Sequence, residues 1–437
     1  MYATLLKYLR QLKVPRLSKD ANNNTVLRDA VGAILPMLGA NTITVGAGGM
    51  YATIREALDY IVSQDTYTDL NVAGVTSSVT QNTNLVTLVG TDVYEAAPFI
   101  HIGDLWSGDN GVNWYEISAM LSPTKLTVEV PYYGATLSGG TTKFARPVWY
   151  SIVLLPGDHG DAGQLTFPNT KPVYVDIQAH PGARFTGDST ADAQIWSWPC
   201  TGHVILRNLA GVATKRQSAF FGSASAGGKH VNSIIELNTC DIRSQGVDVW
   251  IPSGPAGKLI VRGGYYEAGQ DLFVNTAPGG LFFYGATLVG TGLVYFFSGA
   301  LAIRMFDAMG NDVYAKDCTF EIRHPIELFT GVSSVIDAGG SSAFTFTADN
   351  CTLNINVVGA ATTACFVGDQ NSTGVIGRKI KLNNCVMNSI HASGTPNVMK
   401  AVAYTGTGTV AVNNCVLNGF VAGGGGTVIP SLNSCTA

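Results

Sequence analysis

From Leu209 to Cys435 one phrase recurs along the chain: alternating apolar residues, two turn-prone residues, a small residue, and a further apolar residue two positions on. It is plainest in DNCTLNI (349–355), NNCVMN (383–388) and NNCVLNG (413–419). With the cysteine as position zero, the same spacing fits Leu209, Cys240, Gly264, Ala286, Cys318, Cys351, Cys385, Cys415 and Cys435. The steps between these anchors are 31, 24, 22, 32, 33, 34, 30 and 20 residues. Positions −5 and −3 are apolar, as in Ile235 and Leu237 or Ile380 and Leu382, which is the period-two alternation of a strand. Position −1 is often Asn or Gly, residue types that tolerate a left-handed backbone. Position +2 is apolar again, as in Ile242, Tyr266, Phe320, Leu353, Met387 and Leu417.

Each copy therefore reads strand, sharp bend, strand. A unit of this length cannot bury its own apolar face, so neighbouring copies must stack into a solenoid. No amphipathic helix separates the copies, and the intervals are long and variable, which excludes helical, leucine-rich and hexapeptide repeats. The prediction is an all-β right-handed parallel β-helix over 147–437, its coils about 4.8 Å apart so that equal positions form ladders.

Composition agrees. The 437 residues are 46% hydrophobic and 13% charged with 51 glycines, which suits many turns and a large core rather than a helical bundle. The net charge of −4 and the absence of a long basic run argue against nucleic-acid binding. No window of about 18 apolar residues could span a membrane. The first twenty residues carry Lys7, Arg10 and Lys13 among their apolar residues, unlike a signal peptide, so the expected product is made without export.

The pattern resembles the parallel β-helix of the pectin-lyase-like superfamily, whose coils carry an asparagine ladder at the sharp turn. NTITVGAGGMYATIREALDYI (41–61) is similar to the opening of pectinesterase-like and phage tailspike helices, where such a helix caps the first coil. YSIVLLPGDHG (150–160) is similar to the coil that follows. Residues 41–64 are thus expected to form the first strand and capping helix. Between the two segments lie four strand-like runs, and 65–146 is expected to be a small inserted β-barrel or sandwich. Its stretch 101–133 resembles a module of phage structural proteins. Residues 1–40 show helical spacing in Leu5, Leu6, Tyr8, Leu9 and Leu12, then in Val26, Leu27, Val31, Ile34 and Leu35, with Pro15 between; they are expected to be a helical attachment arm.

The eight cysteines are too widely spaced for a Cys-x2-Cys metal site and read as a ladder of small buried thiols, with disulfides as the other reading. Asp158, His159 and Asp161 share one turn that could seat a cation, although Gly-Asp turns are commonly only turns. No metal and no cofactor is expected. Positions +1 and +3 point outward after the bend, which places Asp241, Arg243, Tyr265 and Glu267 on one patch, followed by Thr287, Val289, Thr319 and Glu321. Asp241, Glu267 and Glu321 are the candidate catalytic carboxylates, Asp241 and Glu267 being on the order of 8 Å apart from strand spacing. Arg243, Tyr265, Trp250 and Asp271 are candidate substrate-binding residues; a solvated polar face is the plain alternative. Trp196 and Trp198 could add stacking platforms, whereas Tyr266 falls inward.

The catalytic segments of pectinesterases and the calcium carboxylates of pectate lyases have no counterpart. The resemblance instead implies a phage tailspike or tail fibre: a virion protein that attaches to other tail proteins through 1–40, assembles as a homotrimer and binds a bacterial surface polysaccharide, with or without cleaving it. Two alternatives stay open, a secreted pectin-lyase-like lyase or hydrolase and a non-enzymatic adhesin or virion structural protein.

Overall fold

The computed structural model describes residues 41–70, 72–90, 100–160, 165–167, 171–187, 196–197, 201–213, 221–222, 232–244, 257–269, 271–275, 279–291, 304–308, 312–324, 332–337, 345–357, 363–369, 378–391, 397–401, 408–419 and 431–436. It adds three short strands near the start of the chain, Arg16–Lys19, Thr25–Arg28 and Ile34–Leu35, paired antiparallel. The apolar spacing predicts a helix where the last two strands lie. Pro15, Gly32 and Pro36 divide this stretch into runs too short to nucleate one, and short apolar runs serve either period. The other half of the expected helical arm, Leu5 to Leu12, lies outside the described residues.

Twelve parallel strands form the first sheet, from Thr42–Val45 and Tyr150–Leu154 through Asn232–Asn238, Lys258–Arg262 and Leu281–Tyr284 to Gly408–Asn413 and Ser431–Asn433. Ten more, among them Asp241–Ser244, Tyr265–Ala268, Thr287–Gly290, Thr319–His324 and Val386–His391, form the second. A third face carries parallel strands in two groups, Leu165–Thr166 onward and Asp271–Asn275 onward. The chain returns to the first sheet once per coil, after adding a strand to the second sheet and, in most coils, one to the third face: this is a parallel β-helix.

The bend between the first two sheets falls at position −1 of every anchor. Asn208, Thr239, Gly263, Gly285, Asp317, Asn350, Asn384, Asn414 and Ser434 all have φ between 52° and 62°. This left-handed conformation explains the preference for Asn and Gly, and marks Thr239 as a β-branched residue held where its Cβ is unfavourable. Gly264 has a second reason to be glycine, because a Cβ there would lie 2.4 Å from the carbonyl oxygen of Cys240.

Positions −5, −3, 0 and +2 stack inward as one continuous core. Cys240, Cys318, Cys351, Cys385, Cys415 and Cys435 are free thiols, and all but Cys435 are buried. Cys351, Cys385 and Cys415 each reach the carbonyl of the residue at their own −2 position, at 3.3–3.4 Å, which satisfies the S–H group inside the core. Burial pushes the Cys240 thiol up to about 12. Cys200 and the side chain of Cys365 lie outside the described residues.

The helix Ile54–Ser63 covers one end of this core with Ile54, Ala57, Leu58 and Ile61. A capping box fixes its start: the Thr53 hydroxyl accepts from the Glu56 amide at 3.2 Å, and the Glu56 carboxylate accepts from the Thr53 amide at 3.2 Å. Eight antiparallel strands between Tyr67 and Pro147 then build a separate small module around Trp106, Tyr115, Tyr132 and Phe144. Because Thr42–Val45 pairs directly with Tyr150–Leu154, this module hangs off the first coil without interrupting the stack.

The module does not hang free. Its Leu105, Trp114 and Ala145 pack on Tyr174, and its Val130 packs on Ile234 and Ile260, all outward residues of the first sheet. Glu116 of the module meets His203 Nδ1 at 3.0 Å, and His203 Nε2 lies 3.7 Å from Glu236 of the next coil. Lys258 meets Glu129 at 2.5 Å. Burial lowers the proton affinity of His203, but the Glu116 carboxylate that accepts from Nδ1 and the negative charge of Glu236 near Nε2 outweigh it and raise its pKa to about 9. Burial likewise raises the Glu236 carboxyl, while His203 and Arg262 pull it down to about 2. Trp149 stacks edge-on against the imidazole, centroids 5.1 Å apart.

Candidate functional site

Outward positions of the second sheet assemble a charged corner on the early coils. Asp241 pairs in register with Tyr265 and Arg243 with Glu267, while Glu267, Val289 and Glu321 follow one another on successive coils. Asp241 takes both contacts from Arg243, at 2.8 and 3.1 Å. The Arg243 guanidinium also lies over the Tyr265 ring, 4.8 Å from its centroid. Tyr265 in turn donates its hydroxyl to Glu267 at 2.5 Å. Glu321 is held by both arms of Arg323, at 2.7 and 2.8 Å.

Titration follows from these contacts. The hydrogen bond to Asp241 raises the Arg243 pKa, and the bond to Glu321 does the same for Arg323. Burial, then the bond to Glu267, raises that of the Tyr265 phenol. A general acid or base must present a free oxygen to the scissile bond. Asp241 and Glu321 each give both carboxylate oxygens to a guanidinium group, so the corner is a lattice of charges and a phenol held by one another.

The residues singled out from the sequence divide accordingly. Asp241, Arg243, Tyr265 and Glu267 lie together on adjacent coils, and Glu321 lies two coils beyond Glu267. Val289, expected to face outward, is 0% exposed, enclosed in the row between Glu267 and Glu321. Trp196 and Tyr266 are core residues, both 0% exposed, because each occupies an inward column. Trp250 and Trp198 lie outside the described residues, and of Asp271 only the backbone is described, in the strand Asp271–Asn275. In the turn after Tyr150–Leu154, Asp158 pairs with Arg184 at 3.0 Å and accepts the Gly160 and Thr186 amides, while the His159 ring meets the Leu155 carbonyl; Asp161 lies outside the described residues. That turn is braced by its own contacts, and among the described residues no group of three His, Cys, Asp or Glu side chains is placed to hold a metal.

A second row, on the first sheet just past the docked module, is not singled out by the sequence pattern. Arg262 bonds Glu236 at 2.9 Å and lies over Tyr284 at 5.1 Å; Tyr284 packs on Tyr314 at 6.0 Å; Tyr314 donates to Asp349 at 2.9 Å. Burial and then that bond raise the Tyr314 phenol to about 12. These residues occupy positions −4 and −2, the outward places before the bend, and applying the same inward–outward register upstream of the bend would have found them.

The fold and its outer rows define a parallel β-helix protein with a docked antiparallel module. Among solved structures it is similar to the tailspike protein gp49 from Pseudomonas phage LKA1, with 11% identity and a TM-score of 0.36, covering 84% of this chain and 66% of that one. It is also similar to the Pseudomonas phage phi297 tailspike gp61, with 11% identity and a TM-score of 0.26, covering 84% and 64%. The chain thus spans just under two thirds of the length of the tailspikes it aligns with. No protein-family model and no curated protein matches it.

Proposed function

We propose that this chain is the solenoid of a phage tailspike, a receptor-binding part of the virion tail, and that its charged corner binds a polysaccharide of the bacterial surface. The observation that carries the reading is the corner of Asp241, Arg243, Tyr265, Glu267, Glu321 and Arg323, in which guanidinium groups, carboxylates and a phenol are held by one another on coils about 4.8 Å apart. Such groups offer paired donors and acceptors to hydroxyl and acidic groups of a sugar chain, and their mutual bonds lower the ordering cost of binding. In the virion the chain would attach through residues 1–40 and assemble as a homotrimer.

Purified protein is incubated with capsular polysaccharide and lipopolysaccharide of candidate hosts, with binding and released reducing ends both measured. Binding that Arg243→Ala weakens at least about tenfold is the expected result. Oligosaccharide release abolished by Glu267→Gln would add depolymerisation to binding and assign Glu267 to the chemistry, and Asp241→Asn and Glu321→Gln then test which second carboxylate, released from its arginine by the ligand, acts with it. Absence of binding to every host glycan contradicts the receptor reading, and a monomer in light scattering contradicts the trimer.

A further inference from the structure

On the late coils the positions flanking the same bend carry one charge, Asp349 in the first rung, and the nearest other is Lys381, exposed two residues before Asn383. Two rows of side-chain amides run along it, one on each side of the bend. In the first, Asn383 Nδ2 donates to Asp349 Oδ1 at 2.7 Å, Asn413 Nδ2 to Asn383 Oδ1 at 2.8 Å, and Asn433 Nδ2 to Asn413 Oδ1 at 2.7 Å. In the second, Asn388 Nδ2 donates to Asn354 Oδ1 at 3.0 Å and Asn418 Nδ2 to Asn388 Oδ1 at 2.8 Å. Between them lie the exposed turning residues Asn350, Asn384 and Asn414, and the outward Val386 and Val416, 36% and 37% exposed.

Every carboxamide has two N–H donors and two acceptor sites, and a rung in the middle of a ladder uses one of each. Asn383, Asn413 and Asn388, the rungs in the middle of the two ladders, each keep one donor and one acceptor site beyond the ladder. The amides are not the sole support of the stack, because backbone pairing also continues through the bend, as in the Asn350 amide to the Asn383 carbonyl and the Asn384 amide to the Asn413 carbonyl, both 2.9 Å. The coils anchored at Cys385 and Cys415 therefore both present amide, amide, apolar patch, amide, about 4.8 Å apart, flanked by Asn354 on one side and Asn433 on the other. A pyranose presents the complementary surface, an apolar C–H face rimmed by hydroxyls, and only a polymer supplies it periodically.

We infer that this corner, residues 383–388 and 413–418 with Asn354 and Asn433, is a binding track for an uncharged linear polysaccharide lying along the solenoid axis. It is separate from the charged corner and rests on the reading that the protein engages bacterial surface glycans. The ladder fixes amide direction before the ligand arrives, Val386 and Val416 provide the floor for sugar rings, and a ligand without charge makes binding insensitive to salt.

The test uses the full chain and a panel of purified bacterial O-antigen polysaccharides, uncharged and acidic, at low and high salt. The expected result is capture of at least one uncharged polymer with an affinity unchanged by salt, and loss of at least about tenfold of that affinity in Val416→Arg, which obstructs the track. Asn418→Ala, which removes only the last donor of its ladder, is expected to weaken binding less while leaving the melting temperature within about 2 °C. Acidic polymers bound by the charged corner remain bound by Val416→Arg, so the two sites fail separately. The inference is overturned if wild-type protein captures no uncharged polymer, if Val416→Arg binds as well as wild type, or if Val416→Arg instead changes the oligomeric state, which would make this corner a subunit interface.

Discussion

The early and late coils share one backbone, with the same left-handed bend and the same inward columns, yet they satisfy their outer side chains by opposite means. Around Asp241 and Glu267 the outer positions are ion pairs and an aromatic ring, several of them within one strand. Around Asn388 and Asn418 they are neutral amides bonded only from coil to coil. A solenoid of this kind separates stability from display: the core columns hold the coil, and the outer rows are free to vary in chemistry.

The largest test of that separation lies in the core. Tyr266 and Met387 occupy the same +2 column, both 0% exposed. Tyr266→Ala is expected to cost about 3–5 kcal/mol, and Met387→Ala less, about 2–3 kcal/mol, because flexible aliphatic neighbours close the smaller cavity more completely. Urea unfolding midpoints measure both, and equal or negligible losses would mean that the columns do not carry the coil.

Next in size is pH. The Glu236 carboxyl, lowered to about 2, contributes stability above its ordinary 4.5 that is lost as pH falls through 2. His203, raised to about 9, contributes stability below its ordinary 6.5 that is lost as pH rises through 9. The seam between module and early coils is therefore strongest from pH 4.5 to 6.5 and loses on the order of 2–3 kcal/mol from 6.5 to above 9. Trp149 fluorescence reports the seam directly, and His203→Gln should flatten the profile. A melting curve unmoved between pH 6.5 and 9.5 would remove the ionic account.

Smaller still is the late ladder. Asn413→Ala deletes two amide bonds, partly exposed, and is expected to cost about 1–2 kcal/mol without altering the pH profile. Smallest is a gain: Thr239→Asn relieves a β-branched residue at φ 52° and should stabilise by about 0.5–1 kcal/mol. A loss there would show that the Thr239 hydroxyl bonds to Asn208 and Asn238 outweigh the backbone strain.

The bend was legible because it is local: a left-handed residue favours Asn or Gly, which stand at −1 in six of the nine anchors, and the apolar spacing places the other three, where Thr239, Asp317 and Ser434 turn the chain. The inward columns were legible for a similar reason, since alternation needs only the strand itself. The stacked amides were harder. The resemblance suggested a ladder at the turn, but the residues that turn the chain, such as Asn384, are not those that bond along the axis, such as Asn383 and Asn388. Which Asn stacks depends on its neighbour 30 residues away. The docking of the module onto Tyr174, His203 and Ile234 lay beyond the pattern altogether, because those residues read as ordinary outward positions until a second fold covers them.

That docking has a mechanical consequence. The module grips four successive strands of the first sheet, through Tyr174, His203, Ile234 and Lys258, whereas the coils from Leu281–Tyr284 onward hold mainly to their immediate neighbours. Pulled along its axis, such a column would peel coil by coil where it is ungripped and resist as a block beneath the module. Among the described residues, the early coils are thus tied together twice, through their own ladder and through the module, and the later coils through their ladder.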